Sequence, residues 1–391
     1  MKSILFYIAR YPGYGGIENI TTLLANHLSS NNNKVSILSC TQQDEDLLIK
    51  QLHKDVQYYK IPNKININAE ENQIFLNKII TNNKINTIIY QDSYYPNEQL
   101  LLNIKKRENI DIFCVEHNTP DNGIKNFFYT LRKTPWYNLY TILKILFFHG
   151  LGFIRTRKRK QTLYEFCNKY VLLSKGYISI FLKLNNIKDS HKIEVIENPI
   201  SIPILKDVPN KEKICLFVGR FSTQKGLITL LQIWQKIEKD ERLKDWKLIM
   251  VGDGNEREKV EKYIKKHNLQ RIQLEGFKNN MIPYYQKASI LCMTSLFEGF
   301  PLTLPEAMGN GTVPIAFNSF AAIEDIIDHN VNGIIVPFNN KNIYVQQLKK
   351  LILNQVKREK LAKAALGKAK YFSQENIFNK WNILINQSNN P

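Results

Sequence analysis

The sequence feature that most constrains the fold is a pair of short apolar runs around a loop that contains Gly and Pro. The runs are residues 289–293 and 312–316, and Glu298 and Glu306 lie in the segment between them. This order indicates a strand, a loop, a short helix and a second strand, which is typical of a parallel α/β sheet. Because parallel strands present ligand sites at their carboxyl ends, both glutamates are candidate ligand-binding residues.

Each of the two glutamates also has a structural interpretation. Residues 303–306 read Thr-Leu-Pro-Glu, which has the spacing of a capping box with Pro in the first turn. Glu306 would then satisfy helix amides, and Glu298 would be a solvated loop carboxylate. These residues alone leave both interpretations open.

Apolar runs and helical periods alternate through the first half of the chain. Strands are predicted at 4–9, 35–39, 56–60, 87–90, 112–115 and 170–173, and helices at 17–30, 74–81 and 97–109. Such alternation predicts a doubly wound parallel sheet. Pro199, Pro203 and Pro209 mark a linker, and a second series of strands begins at Ile214. We therefore expect an α/β protein with two domains.

The chain of 391 residues carries a formal net charge of +19, and one stretch concentrates it. Residues 122–164 contain nine Lys or Arg and no acid. A basic surface suits nucleic acid, anionic lipid or phosphorylated substrates, but no nucleic-acid-binding motif accompanies this charge. The five cysteines form no C-x-x-C pair, which argues against a disulfide framework or a zinc site. The apolar run at 4–9 is too short for a secretory signal, so we expect a cytoplasmic protein.

Residues 136–154 are mainly apolar and precede the basic cluster 155–160. Asn138, Lys144 and His149 interrupt the run, whereas a membrane-spanning helix needs about 20 cleaner apolar residues. An interfacial segment fits better, with aromatic side chains against acyl chains and the cluster on lipid phosphates. The alternative is a helix that covers the core of the first domain and ends in a solvated basic turn.

Two places along the chain favour a phosphorylated ligand. Gly15 and Gly16 follow the first predicted strand, where glycines and a helix N-terminus can receive an anion. Glu18 stands where a dinucleotide fingerprint has its third glycine, which argues against a nicotinamide enzyme. Arg220 at a strand end and Lys225 before a helix place two cations within reach of one diphosphate. A tight turn and surface cations are the corresponding structural interpretations.

The segment 298–309 resembles the signature of retaining glycosyltransferases of family 4, bacterial enzymes of polysaccharide and lipid-linked glycan synthesis with the GT-B fold. It has Glu-Gly-Phe, a second Glu eight positions after the first, then Ala-Met and a Gly. Gly-Gly-x-Glu at 15–18, Asn-Pro at 198–199, Gly-Arg at 219–220 and Lys-Gly at 225–226 match further landmarks of the family. The resemblance implies two Rossmann-like doubly wound domains that face a central cleft.

The resemblance also implies domain limits and site residues. The limits are 1–200 for an acceptor domain, 201–211 for a linker, 212–370 for a donor-nucleotide domain and 371–391 for a C-terminal helix that crosses back. The catalytic residues implied are His117, Arg220, Lys225 and Glu298. The donor-binding residues implied are Gly15, Gly16, Arg220, Lys225, Gly276, Phe277, Glu298, Gly299, Phe300, Pro301, Leu302 and Glu306. Arg220 and Lys225 would hold phosphates, Glu306 the ribose, and Glu298 and His117 the sugar, with no metal ion and no cofactor.

The activity implied is transfer of a hexose or N-acetylhexosamine from a nucleotide sugar, which we expect to be UDP-linked, with retention at the anomeric carbon. The acceptor implied is a glycan linked to polyprenyl diphosphate, at the anionic inner face of the cell membrane. Residues 318–322 depart from the family's glycine-rich loop and leave the donor sugar open. Three alternatives remain: a metal-dependent GT-A transferase using Asp44-Glu45-Asp46, a nucleic-acid-binding protein, and a non-catalytic sugar-binding subunit.

Overall fold

The chain forms two compact units. The computed structural model describes residues 1–13, 15–42, 46, 51–92, 97–104, 110–133 and 138–387. Unit 1 comprises residues 1–198 and 377–391, and unit 2 comprises residues 199–376. The segment 201–211, expected as a linker, is part of unit 2.

Unit 1 is built on a sheet of seven parallel strands in the order β3-β2-β1-β4-β5-β6-β7. The strands are β1 (Ser3–Arg10), β2 (Lys34–Thr41), β3 (Gln57–Lys60), β4 (Thr87–Asp92), β5 (Asp111–Glu116), β6 (Lys169–Leu172) and β7 (Ile193–Val195). β1, β2 and β5 are buried along nearly their whole length, which is typical of parallel sheets with helices on both faces. The six strands predicted in this half are confirmed, each to within two residues.

The helices of unit 1 connect these strands. Those whose limits fall within the described residues include α1 (Gly16–Ser30), α2 (Glu70–Asn82), α3 (Gln99–Leu102), α4 (Asn122–Lys133), α5 (Leu139–Phe166) and α6 (Tyr177–Asn185). The prediction of one helix over 97–109 is wrong, because α3 ends at Leu102 and residues 103–104 form a turn. Asn103 favours caps and turns over helix interiors, which explains the early end. Residues 105–109 lie outside the described ranges.

Unit 2 is built on six parallel strands in the order β10-β9-β8-β11-β12-β13. The strands are β8 (Glu212–Val218), β9 (Lys247–Val251), β10 (Ile272–Gly276), β11 (Ala288–Met293), β12 (Val313–Asn318) and β13 (Ile334–Pro337). The helices are α7 (Leu227–Glu238), α8 (Arg257–Lys266), α9 (Ile282–Lys287), α10 (Thr303–Gly309), α11 (Ile323–Ile326), α12 (Lys341–Leu353) and α13 (Gln355–Ala369). The predicted α/β class with two doubly wound parallel sheets is confirmed.

The final helix, α14 (Gln374–Gln387), begins in unit 2 and joins unit 1 from Ile377 onward. The ring of Phe378 stacks on that of His27, with ring centroids 4.4 Å apart. Lys380 forms an ion pair with Glu197. Unit 1 therefore includes side chains from both ends of the sequence.

Each sheet has one topological switch point, where successive strands are added to opposite sides. In unit 1 the switch point lies between β1 and β4, and in unit 2 between β8 and β11. Loops that leave two such strands diverge, so the carboxyl edge at a switch point is the usual ligand crevice of an open α/β sheet. The two switch points define the edges at which a functional site is expected.

Helix α5 carries both the apolar run and the basic cluster. The prediction of a basic turn after residue 154 is wrong, because the helix continues through 155–160 to Phe166. Arg and Lys are good helix formers, and neither Gly nor Pro interrupts this part. The apolar half is exposed, with Phe147 and Phe148 accessible to 63% and 59%. Within the described ranges, no helix is both long and apolar enough to cross a bilayer.

Two cations of the basic cluster point into unit 1. Lys160 is buried and forms an ion pair with Glu116, and Tyr170 Oη donates to the same carboxylate at 3.1 Å. Arg159 forms an ion pair with Glu98 at 2.8 Å. The expectation that all of 155–160 faces lipid phosphates is therefore wrong for these two residues, because a buried carboxylate needs a charged partner.

Replacement of Lys160 by Met leaves Glu116 buried without its cation. Removal of one member of a buried ion pair costs about 3–5 kcal/mol, so we expect a fall in Tm of roughly 6–12 °C or more. Lys158→Met on the exposed face of α5 is the matched control and should leave Tm nearly unchanged. Thermal unfolding followed by circular dichroism measures both, and equal Tm values for the two variants would contradict the structural role of Lys160.

Candidate functional site

The candidate site of unit 2 lies at its switch point. Gly219 and Arg220 follow β8, and a short 3-10 turn at Thr223–Lys225 precedes α7. The loop 294–302 follows β11, which pairs directly with β8. Residues about 75 positions apart in sequence therefore meet at one sheet edge, as expected for a crevice between diverging loops.

Lys225 and Glu298 form the central contact of this site. Lys225 Nζ donates to Glu298 Oε1 at 2.6 Å, and both side chains are largely buried. Gln224 Nε2 donates to Phe297 O at 2.9 Å, and Leu296 N donates to Gln224 O at 2.7 Å. The interpretation of Glu298 as a solvated loop carboxylate is wrong, since its carboxylate is buried and paired.

Glycine allows the loops that follow β8, β9 and β11 to approach one another closely. Gly226 has φ +64°, and a Cβ built on it would lie 2.2 Å from Thr294 O. Gly252, after β9, has φ +139°, and its Cβ would lie 1.9 Å from Gly219 O. The backbone angle at Gly252 requires glycine, and at both positions only glycine leaves room for the facing carbonyls.

Arg220 is the exposed cation of the site. Its side chain makes no ion pair with any residue in the described ranges. Arg220 and Lys225 lie five positions apart on the connection that leaves β8. A guanidinium beside a largely buried ammonium is suited to a ligand with several negative charges, such as a diphosphate.

Glu306 lies in α10 and is buried. Ser201 Oγ donates to Glu306 Oε1 at 2.5 Å, and Tyr285 Oη donates to Oε2 at 3.0 Å. Burial raises the pKa of Glu306 above its ordinary value, while these two hydroxyls act in the opposite direction. The capping-box interpretation is wrong, since the carboxylate accepts from Ser201 and Tyr285 and no side chain caps α10.

The remaining donor-binding residues predicted in unit 2 surround this edge. Gly276 ends β10, and Phe277 is 60% exposed. Gly299 and Leu302 are partly accessible. Phe300 is buried and its ring packs edge-on against Phe372, with centroids 5.5 Å apart. Phe300 therefore contributes packing, and a ligand would meet the backbone of this loop instead of that ring.

The predicted residues of unit 1 lie at the carboxyl edge of its own sheet. Gly15 precedes α1 and Gly16 is its first residue, so the amides of the first turn follow the loop that leaves β1. Glu18 is held by Arg10, whose Nε and Nη2 lie 3.0 and 2.9 Å from Oε1. His117 follows β5, is buried, and its Nε2 makes a hydrogen bond with Gln91 Oε1 of β4.

Sequence patterns missed the residues that support the site. Ser201, Tyr285, Gln224 and Gln91 belong to no motif, because their roles depend on contacts between distant segments. Only the position of Gln91 near a strand end offers a signal. The structure brings Lys225 and Glu298 into contact within unit 2, and Glu306 lies on the helix that follows their loop.

The metal-dependent alternative depended on Asp44-Glu45-Asp46, of which residues 44 and 45 lie outside the described ranges. Among described residues, no group of three or more His, Cys, Asp or Glu is placed to hold a metal ion. Metal independence itself stays a prediction.

Comparison with known proteins shows what this part of the chain is similar to. Residues 205–368 match the family model for "Glycosyl transferases group 1". The chain is 26% identical to the amylovoran biosynthesis glycosyltransferase AmsD of Erwinia amylovora, over 99% of this chain and all of that protein. It is 25% identical, over 58% of this chain and 62% of that protein, to a Campylobacter jejuni N-acetylgalactosaminyltransferase named for a diphosphoundecaprenol-linked acceptor.

Solved structures establish the fold. The crystal structure of Anabaena Alr3699/HepE in complex with UDP has a TM-score of 0.74 at 15% identity, over 99% of this chain and all of that one. The GT-B fold predicted for the chain is confirmed. Residues 205–368 match group 1 glycosyl transferases, and the chain is a transferase. Membership of family 4 stays a prediction.

The raised pKa of Glu306 predicts a pH-dependent contribution to stability. A carboxyl whose pKa is higher in the folded state stabilises that state below its unfolded pKa, and this contribution is lost as pH rises through the folded pKa. The Tm of wild type minus that of Glu306→Gln should therefore fall as pH is raised from 4 to 8. Glu324→Gln, at an exposed site on α11, is the control for the loss of one carboxyl group. A pH-independent difference for Glu306→Gln would contradict the assignment.

Proposed function

We propose that the chain is a group 1 glycosyl transferase and, more narrowly, a retaining, metal-independent enzyme of family 4. It moves a hexose or N-acetylhexosamine from a UDP-sugar to a glycan acceptor in surface polysaccharide or glycoconjugate synthesis. The observation that carries the proposal is the Lys225–Glu298 pair beside exposed Arg220 at the switch point of unit 2. The full-length match to a polysaccharide glycosyltransferase supports it.

Glycosyl transfer breaks the bond between the anomeric carbon and the diphosphate oxygen. The acceptor oxygen bonds to that carbon, and its proton passes to the departing diphosphate. Negative charge develops on the departing diphosphate, so cations already fixed near it lower the barrier. We assign this role to Arg220 and Lys225. Lys225 uses one N–H for Glu298 and has two more for phosphate oxygens, so the ion pair is compatible with a bound donor. The UDP-complexed fold relative supports UDP as the nucleotide.

The two glutamates would bind the neutral parts of the donor. Glu298 presents its second oxygen near Gln224 Nε2, at 3.4 Å, and would accept hydrogen bonds from sugar hydroxyls. Glu306 would accept hydrogen bonds from the ribose hydroxyls. A carboxylate has about four lone-pair sites, so Glu306 can keep Ser201 and Tyr285 while it gains a ribose hydroxyl. We also assign donor contacts to the amides after Gly15-Gly16 and to His117.

The acceptor that we propose is a glycan linked to polyprenyl diphosphate. The protein would reach this acceptor by binding peripherally to the inner face of the cell membrane. The exposed apolar residues of α5 and the cations near its middle support contact with an anionic lipid surface. A relative named for a diphosphoundecaprenol-linked acceptor supports the substrate class. Nucleic acid has no part in this proposal.

UDP binding tests the role of Arg220. UDP at a hundred times its Kd should stabilise the wild type by about 2.7 kcal/mol in thermal unfolding. Arg220 is exposed and unpaired within the described ranges, so Arg220→Gln should fold normally and bind UDP roughly ten- to a hundredfold more weakly. Lys239→Gln removes one exposed charge elsewhere in unit 2 and should bind UDP like the wild type. Unchanged affinity in Arg220→Gln would reject the site.

Donor use tests the activity itself. Radiolabelled UDP-, GDP- and ADP-sugars are incubated with the protein and bacterial membranes, with and without EDTA. We expect label in the lipid fraction from a UDP-sugar, at an equal rate in EDTA. Loss of transfer in EDTA would favour a metal-dependent transferase, and absence of transfer from every donor would favour a non-catalytic binding protein.

His117 is expected to act on the sugar and not on the nucleotide. Loss of one hydrogen bond to the sugar in the transition state should lower kcat/KM for transfer roughly ten- to a hundredfold in His117→Ala. The Kd for UDP, which lacks the sugar, should stay unchanged. Equal loss of UDP affinity and of transfer would contradict this role, and Gln91→Leu should show a smaller loss because it only frees the imidazole.

A further inference from the structure

Unit 2 contains a cavity of about 690 Å³ at the amino edge of its sheet. Lys211 just before β8, Ser289 near the start of β11 and Val313 at the start of β12 line one wall, and a face of α13 forms the other. Arg220 and Glu298 instead follow the carboxyl ends of β8 and β11. This amino-edge cavity is therefore separate from the donor site, and its volume is typical of a site for a small molecule.

The amino-edge cavity carries an excess of positive charge. Its cationic side chains outnumber its two acids, Asp207 and Glu359, by three to one, and they are Lys206, Lys211, Lys213, Arg358, Lys363 and Lys370. Lys213 is paired with Asp245 at 2.7 Å. Lys206, Lys363 and Lys370 make no ion pair with any residue that the structure describes. The charge around the cavity is therefore left for an anionic ligand to balance.

Lys211 is a largely buried cation without a carboxylate. Its Nζ donates to Tyr285 O at 2.9 Å and to Asn310 O at 2.6 Å. A third hydrogen bond joins it to Thr312 Oγ1 at 3.1 Å, and no acid among the described residues pairs with it. Burial lowers the pKa of Lys211 to about 7, because a charge removed from water is unfavourable unless an opposite charge compensates it. An anion in the cavity would supply that opposite charge.

Arg358 presents its guanidinium to the cavity in a fixed position. Nη1 donates to Leu351 O at 2.7 Å and to Ile352 O at 2.8 Å, at the C-terminal end of α12. The guanidinium carbon lies 5.0 Å from the ring centroid of Trp246. Nε and Nη2 have no hydrogen-bond partner in the part of the chain that the structure describes. Because two such N–H groups can bind one phosphate in parallel, Arg358 is an already positioned phosphate ligand.

The spacing of the cations on α13 favours two phosphate groups over one. With a rise of 1.5 Å per residue, Arg358 and Lys363 lie about 7.5 Å apart along the helix axis, and Lys370 lies about 10 Å beyond. Between them the cavity offers Asn210 and Ser289, whose side chains can make hydrogen bonds with hydroxyl groups. None of the described residues that line it is aromatic, so a nucleobase would find no ring on which to stack. A phosphorylated sugar fits this wall better than a nucleotide.

We propose that the amino-edge cavity is a second ligand site, which binds a sugar bisphosphate. One phosphate lies on Arg358, and the other lies between Lys363 of α13 and Lys206 of the opposite wall. The sugar hydroxyls contact the polar side chains between these cations. The inference goes beyond the proposed function and does not rest on it, because the cavity and the donor site lie at opposite edges of the sheet.

Isothermal titration calorimetry with the full chain tests the proposal. The probes are fructose 1,6-bisphosphate, fructose 6-phosphate and inorganic diphosphate, at an ionic strength of about 0.15 M so that contacts between exposed charges are screened. Fructose 1,6-bisphosphate should bind at least about tenfold more tightly than either of the others, because it alone places phosphates on two separate cations. Equal affinity for fructose 1,6-bisphosphate and inorganic diphosphate would overturn the proposal, and so would absence of fructose 1,6-bisphosphate binding.

Three variants locate the binding. Lys363→Gln and Lys206→Gln change exposed side chains on opposite walls, so both should fold normally and bind fructose 1,6-bisphosphate roughly tenfold more weakly. Lys360→Gln is the matched control, since Lys360 is also an exposed lysine of α13 but does not line the cavity. Binding in Lys363→Gln equal to that in Lys360→Gln would overturn the site. A loss in Lys363→Gln without a loss in Lys206→Gln would place the ligand outside the cavity and would also overturn it.

UDP titrations on the same samples separate this inference from the proposed function. All three variants should bind UDP like the wild type, and saturation with UDP should leave the affinity for fructose 1,6-bisphosphate unchanged. Displacement of fructose 1,6-bisphosphate by UDP would place it in the donor site and overturn the second site. UDP binding without fructose 1,6-bisphosphate binding overturns the second site alone, whereas absence of UDP binding rejects the proposed function whatever the bisphosphate result.

Discussion

The ion pair between Lys225 and Glu298 is the contact on which the site of unit 2 depends. A carboxylate removed from water needs a cation or several hydrogen-bond donors, and Glu298 obtains both from Lys225 and Gln224. The pair is possible because β8 and β11 are neighbours in the sheet although β9 and β10 come between them in the sequence. It therefore fixes the shape of the crevice before any ligand arrives, and preorganised charge is what favours a developing anion.

Glu306 shows how the same site combines stability with binding. Its burial disfavours the charged form, and the hydroxyls of Ser201 and Tyr285 compensate in part. Ser201 comes from the segment that enters unit 2, and Tyr285 from the helix before β11. The carboxylate of Glu306, which lies in α10, is thus hydrogen-bonded both to the chain at Ser201 and to α9, and the three segments share one polar network. A ligand hydroxyl that reaches it completes this network and does not have to create it.

The sequence predicted the strands and the class of fold because buried parallel strands are short continuous apolar runs, which survive almost any tertiary context. It also located Lys225, Glu298 and Glu306, since glycines and prolines mark the loops at strand ends. It did not predict that α3 ends at Leu102 or that Lys160 turns inward onto Glu116, because both depend on long-range packing. Ser201 and Tyr285 carry no local signal.

The basic stretch of unit 1 serves two physical purposes that its composition cannot separate. Lys160 anchors α5 to the sheet through Glu116, Arg159 anchors it to the start of α3 through Glu98, and a buried charge of this kind is unavailable to a ligand. Arg157, a few positions earlier, faces an apolar cavity instead of a carboxylate. The helix period separates Arg157 from Arg159, because residues two positions apart point towards nearly opposite faces of a helix. The internal pairs hold the helix in place, so the remaining cations of α5 keep a fixed position on the surface of unit 1.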